Sequence, residues 1–135
     1  MTNLYDPIRL KYVPDLPEER VRQALLHQMT QALGYPRALI GVEKRVGKRK
    51  RRADILVYFC VGSELKPLLI IECKAESVDE AGYWQASGYN AEMAAPFLCV
   101  AHAEGIRTFW QSMDGVQSVN FLPPYPQLIS RVQYV

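Results

Sequence analysis

An aspartate at position 54, a glutamate at 72 and a lysine at 74 are the residues of this 135-residue chain whose types and spacing could do chemistry. Glu72 and Lys74 end the run "LLIIECK" (68–74), in which four apolar residues lead into a carboxylate, a thiol and an ammonium. Side chains alternate along a strand, so Leu68, Ile70, Glu72 and Lys74 share one face and Leu69, Ile71 and Cys73 the other. Strand rise alone puts the two charged groups ~7 Å apart at Cα, right for convergence on one small object. Asp54 opens a second apolar run, "ADILVYFC" (53–60), where an acid must be paired or hold a metal. If the two runs pair as a hairpin, the start of one lies beside the end of the other, and Asp54 falls next to Glu72 and Lys74. Two carboxylates completed by phosphate oxygens make an all-oxygen site suited to Mg²⁺ or Mn²⁺. Such a metal polarises a phosphodiester and acidifies a bound water, and the lysine can orient that water or stabilise charge on the phosphate. Taken alone, the Glu-x-Lys pair also describes a solvated strand end with an ion pair worth ~0–1 kcal/mol.

The charge distribution points to the same chemistry. The net charge is only +2, but "KRVGKRKRR" (44–52) holds seven of the sixteen basic residues. Lys44, Arg45, Lys48, Arg49, Lys50, Arg51 and Arg52 beside such a site would hold a nucleic-acid backbone. The same run also reads as a solvated turn that discourages edge-to-edge sheet pairing. Cys60, Cys73 and Cys99 sit in apolar stretches without a CxxC, which fits reduced, structural thiols in a cytoplasmic protein. The opening "MTNLYDPIRLKYV" lacks the pattern of a signal peptide, and no apolar run approaches the ~20 residues of a membrane span.

The elements that must position these residues are legible from periodicity and punctuation. "PDLPEERVRQALLHQMTQALGYP" predicts a first helix capped by Asp15, with Pro17 in its first turn and Glu18 and Glu19 at the positive end of its dipole. Val21, Leu25, Met29 and Leu33 repeat at helical spacing as its buried stripe, and Gly34 and Pro36 stop it. "LIGVEKRV", "ADILVYFC" and "LLIIECK" predict three strands joined by short turns, hence antiparallel hairpins. Ser77 with Glu80 is a capping-box pattern that starts a second helix at about Val78, and Pro96 ends it. "FLCVAHA" and "IRTFWQS" predict two further strands, "DGVQSVNFL" extends the sheet, and "PPYP" breaks regular structure. The last nine residues fit a helix or a strand equally. The order α-β-β-β-α-β-β defines one α/β domain over 1–135, a mixed sheet flanked by helices, with its core at about 16–110 and a Pro-rich C-terminal segment at 123–135.

With these elements in place, "AD", seventeen residues and "ECK" resemble the active-site signature of the PD-(D/E)xK nuclease superfamily. "PEERVRQALLHQMTQALGYP", "VEKRVGKRKRRADILVYF", "LLIIECKAE" and "QASGY" are similar to the N-terminal nuclease domain of type I restriction enzyme R subunits. The resemblance covers about Leu16 to Trp110 and implies a restriction-endonuclease-like core. It implies that Asp54 and Glu72 bind Mg²⁺ or Mn²⁺, that Glu19 completes the acidic cluster and that Lys74 is the catalytic lysine. Gln85 and Tyr89, four apart on one helix face, would position the site or the DNA. It further implies DNA as substrate, defence against foreign DNA, and motor, methyltransferase and specificity subunits as partners. Two departures stand out. Full R subunits carry an ATP-driven motor, whereas this chain has no GxxxxGK[ST] loop, so translocation is not implied. Ala53 stands where the motif's leading proline would be.

Plainer readings stand beside these. Glu19 also serves as a favourable helix-terminal charge, worth ~0.3–1 kcal/mol, and Gln85 and Tyr89 also fit a helix surface. Glu43 is a structural acid or a fourth member of the cluster. His27 and His102 lack metal-spaced partners, and Tyr83 and Trp84 fit packing. The competing functions are a non-cleaving DNA-binding or protein-interaction module on the same fold, and a nuclease for branched DNA or RNA.

Overall fold

The computed structural model describes residues 3–45, 52–79, 82 and 95–132. Strands β3 (Ile40–Arg45), β4 (Arg52–Val61), β5 (Glu64–Cys73), β6 (Phe97–His102), β7 (Gly105–Ser112) and β8 (Gly115–Val119) form one six-stranded sheet in the order β3-β4-β5-β6-β7-β8. Every neighbouring pair is antiparallel except β5–β6, which is parallel. A parallel pair needs a long crossover. Residues 74–96 supply it, and the expected second helix lies there, almost wholly outside the described residues. This is the mixed α/β sheet expected of a restriction-endonuclease-like core.

Helix α1 (Pro17–Gln31) packs Leu25, Leu26 and Met29 against Ile55, Leu69, Ile71 and Cys73 on one face of the sheet. Ala53, Leu56, Ile70, Ala95 and Leu98 form a second cluster. Leu69, Ile71 and Cys73 therefore share a face as expected, with Ile70 in the other cluster. Leu68 departs from the expected alternation and joins the α1-side core. The strand register shifts at Val57/Tyr58, next to the Leu69 pairing, and that irregularity breaks the two-residue period.

Asp15 does not cap α1. The N-cap is Leu16, with no side-chain bond, and Asp15 instead pairs with Arg20. Pro17 in the first helical turn has no N–H to satisfy. The helix ends at a left-handed Gly34 (φ +73), from which the Tyr35 N–H returns to the Met29 carbonyl at 3.1 Å. Ser77 is not a cap either. Its hydroxyl donates to the Glu104 carboxylate at 2.7 Å, and 77–79 are not helical. Asp79 Oδ1 accepts the Gly82 N–H at 2.8 Å.

One element was not expected. A hairpin of β1 (Asn3–Asp6) and β2 (Lys11–Pro14) precedes α1. Its strands are four residues each, too short for alternation to register in the sequence. The buried Asp6 carboxylate shapes its turn, accepting the N–H groups of Ile8 and Arg9 at 2.8 Å. At the other end, Pro123 and Pro124 do interrupt regular structure, but the second half of "PPYP" starts α2 (Tyr125–Val132), which settles the helix-or-strand alternative for the C-terminal residues up to Val132 in favour of a helix. Prolines cost nothing where a helix begins. The Tyr125 N–H bonds the Leu33 carbonyl at 2.9 Å, and Leu128 is buried in the α1-side core.

Candidate active site

The β4–β5 ladder closes on the pair Ile55–Ile71, and one step further Asp54 stands opposite Glu72. There the backbone ladder gives way to a side chain: Asp54 Oδ2 accepts the Cys73 N–H at 2.7 Å. Glu72 is buried, and in the parallel β5–β6 pair it lies beside Val100. The Lys74 N–H carries the β5–β6 pairing one residue beyond β5, donating to the Ala101 carbonyl at 2.8 Å. The start of β4 thus lies beside the end of β5, with Asp54 bonded to the residue between Glu72 and Lys74.

Cys73, between Glu72 and Lys74, takes the opposite role. Burial, reinforced by the charge of Asp54, pushes its thiol well above the usual range. Burial likewise pushes Cys99 up to about 12. Both are buried, free thiols. The donors that remain are hard carboxylate oxygens, and two of them fit Mg²⁺ or Mn²⁺ held together with water and phosphate oxygens. Among the described residues no three His, Cys, Asp or Glu side chains gather at metal-binding spacing.

Glu19 lies in a different arrangement, a closed ring of alternating charges. Its Oε1 accepts from Arg9 Nη2 at 2.8 Å, and its Oε2 lies 3.2 Å from Arg22 Nε. Glu43 completes the ring, with Oε1 3.5 Å from Arg22 Nη1 and Oε2 3.8 Å from Arg9 Nη1. Arg22 Nη1 also donates to the backbone carbonyl of Asp54 at 3.4 Å. Arg9 is anchored by Asp6 at 2.6 Å. Burial alone would raise the Asp6 carboxyl, but bonds from the Arg9 backbone and guanidinium, from Gln23 and from Ile8 hold it below the ordinary carboxylate range. Glu43 has a left-handed backbone (φ +55) within β3, a conformation that costs a non-glycine residue ~1–2 kcal/mol.

Other expected residues fall as follows. Lys44 and Arg52 are exposed at the facing ends of β3 and β4. Arg45 pairs with Arg52 in the ladder. Lys48, Arg49, Lys50, Arg51, Gln85 and Tyr89 lie outside the described residues. His102 Nδ1 accepts the Glu104 N–H at 3.2 Å. Sequence reasoning missed Arg22, Arg9 and Asp6. Arg22 did leave a signal, since 22, 25, 26 and 29 are spaced as one helical stripe and put a guanidinium among leucines and a methionine.

The model of the family described as type I restriction enzyme R protein N terminus matches residues 17–126. The chain belongs to this family. The R-protein match begins at the first residue of α1 and ends in the first turn of α2, so it spans the whole six-stranded sheet and Glu19, Glu43, Asp54, Glu72 and Lys74. The β1–β2 hairpin with Asp6 and Arg9 precedes it. No curated protein and no solved structure matches the chain. No helix among the described residues is long and apolar enough to cross a membrane.

Proposed function

We propose that this R-protein N-terminal domain is a metal-dependent endonuclease domain that hydrolyses DNA phosphodiester bonds in restriction of foreign DNA. The observation that carries the reading is the bond from the Cys73 N–H to the Asp54 carboxylate at 2.7 Å, which ties Asp54 to the residue between Glu72 and Lys74 at adjoining strand ends. Asp54 and Glu72 would hold Mg²⁺ or Mn²⁺, and Glu19 would join them through a water if one of its arginines yields an oxygen. The ion, when bound, polarises the phosphodiester and makes water a better nucleophile.

The chain's own residues do the rest. The Cys73 N–H fixes one Asp54 oxygen and leaves the other to face a ligand. An ammonium has three donors and no lone pair for a metal, so Lys74 acts on the attacking water and on the phosphoryl oxygens. Lys44, Arg45, Lys48, Arg49, Lys50, Arg51 and Arg52 hold the DNA backbone. Gln85 and Tyr89 orient the site or the DNA from the crossover segment. Motor, methyltransferase and specificity subunits are the proposed partners.

Nicking of supercoiled plasmid with Mg²⁺ or Mn²⁺ tests the reading. Conversion to open circles that EDTA abolishes is the expected result. DNA binding without cleavage in either ion, at any protein concentration, would assign the chain to the non-cleaving module instead.

A further inference from the structure

The ring formed by Arg9, Glu19, Arg22 and Glu43 is more elaborate than a surface ion pair requires. Arg22 is almost wholly buried and reaches three elements: Glu19 on its own helix, Glu43 on β3 and the Asp54 carbonyl on β4. Burying a guanidinium is costly unless its partners are well placed. Glu43 meets it from a left-handed backbone, at the position of β3 that would face Asp54 in a register that otherwise runs unbroken from Ile40–Val57 to Arg45–Arg52. The strain, the break in β3–β4 pairing and the Asp54 side-chain bond to Cys73 therefore coincide at one level of the sheet. Strain of this kind persists only where the surroundings hold it.

We propose that this ring is a positioning device for Asp54. Arg22 grips the Asp54 backbone, Glu43 and Glu19 grip Arg22, and Arg9 closes the ring from the β1–β2 turn. Held so, Asp54 gives up its place in the backbone ladder and presents its carboxylate along the Cys73 N–H. Arg22 and Glu43 are positioning residues, and the bond that ties them to Asp54 is the one from Arg22 to its backbone carbonyl. The inference rests on the nuclease reading for its purpose, but the geometry of the Asp54–Cys73 bond can be measured without any activity.

Two variants test it. Glu43→Gly accepts the left-handed backbone without strain and removes the whole side chain with its carboxylate. Arg22→Lys keeps the buried charge but replaces the wide planar fork with a compact ammonium that cannot span partners on three separate elements. In both, the Cys73 amide should exchange with solvent faster than in the parent by NMR. Calorimetric Mn²⁺ affinity should also fall by ~10–100-fold, the usual cost of losing a residue that orients a metal ligand. Lower melting temperatures with parental Cys73 exchange and parental Mn²⁺ affinity would overturn the proposal and leave the ring as a tie between elements. If Arg22→Lys fails to fold, Glu43→Gly, half-exposed in the parent, decides alone. A parent that neither binds Mn²⁺ nor cuts would sink the nuclease reading, and faster Cys73 exchange in the variants would still establish the positioning.

Discussion

Asp54 and Cys73 are joined side chain to backbone, Oδ2 to N–H at 2.7 Å, at the point where the β4–β5 ladder ends. The bond uses the one donor that an aligned strand would have spent on a carbonyl. It turns a strand end into a fixed carboxylate beside Glu72 and two residues from Lys74.

In the proposed reading Lys74 acts in the chemistry and not in metal binding. Lys74→Ala should fold normally, because the side chain lies past the end of β5 and its loss opens no core cavity. It should keep Mn²⁺ binding in calorimetry. Plasmid nicking should fall at least a hundredfold, since one preorganised donor is worth ~3–4 kcal/mol in a transition state. Undiminished nicking would return the Glu-x-Lys pair to a surface ion pair.

The basic segment 44–52 should bind DNA by counterion release. Parent binding should weaken with salt along a log–log slope of ~0.9 per duplex phosphate neutralised. Replacing Lys48, Arg49, Lys50 and Arg51 with alanine should flatten the slope, as read by fluorescence anisotropy over a salt series. An unchanged slope would make the segment a solvated turn.

Asp6 ties the hairpin to the ring, and its carboxyl is held below the ordinary value of 3.8. A carboxyl lowered in the folded state adds stability above that value and loses it as pH falls through the folded pKa. Asp6→Asn should therefore cost ~1.5–3 kcal/mol at neutral pH, the worth of a hydrogen bond to a charged group. Urea unfolding over a pH series should show the gap closing below about 3.8. A gap that persists to lower pH would contradict the assignment.

The thiols should divide by burial. Cys60 is exposed, whereas Cys73 and Cys99 are buried and their thiols are raised. Titration with a thiol reagent should find one reactive cysteine in the folded protein and three in denaturant. Fast modification of Cys73 in the folded state would mean that the strand end is open.

Much of this was legible because the signals were local. Alternation and an acid in an apolar run located Asp54, Glu72 and Lys74, and short turns fixed the antiparallel β3–β4–β5 order. The hairpin was not legible, since four-residue strands around Pro7 carry too little pattern. Asp15 and Ser77 have the composition of caps, but Leu16 takes the cap position of α1 and Ser77 bonds Glu104 instead, because a cap depends on where the first turn starts. The ring was the hardest to see. From its helix Glu19 reads as a terminal charge, and the family resemblance made it a metal-site acid; only the fold brings Arg9, thirteen residues before Arg22, to Glu19, and Glu43, twenty-one after it, to both guanidiniums.

The central claim is that Asp54 and Glu72 hold one divalent ion that Lys74 does not. Calorimetric Mn²⁺ titration of the parent, Asp54→Ala and Lys74→Ala tests it most directly. One ion per chain is expected in the parent and in Lys74→Ala, and no saturable binding in Asp54→Ala. Equal Mn²⁺ binding by the parent and Asp54→Ala would contradict it.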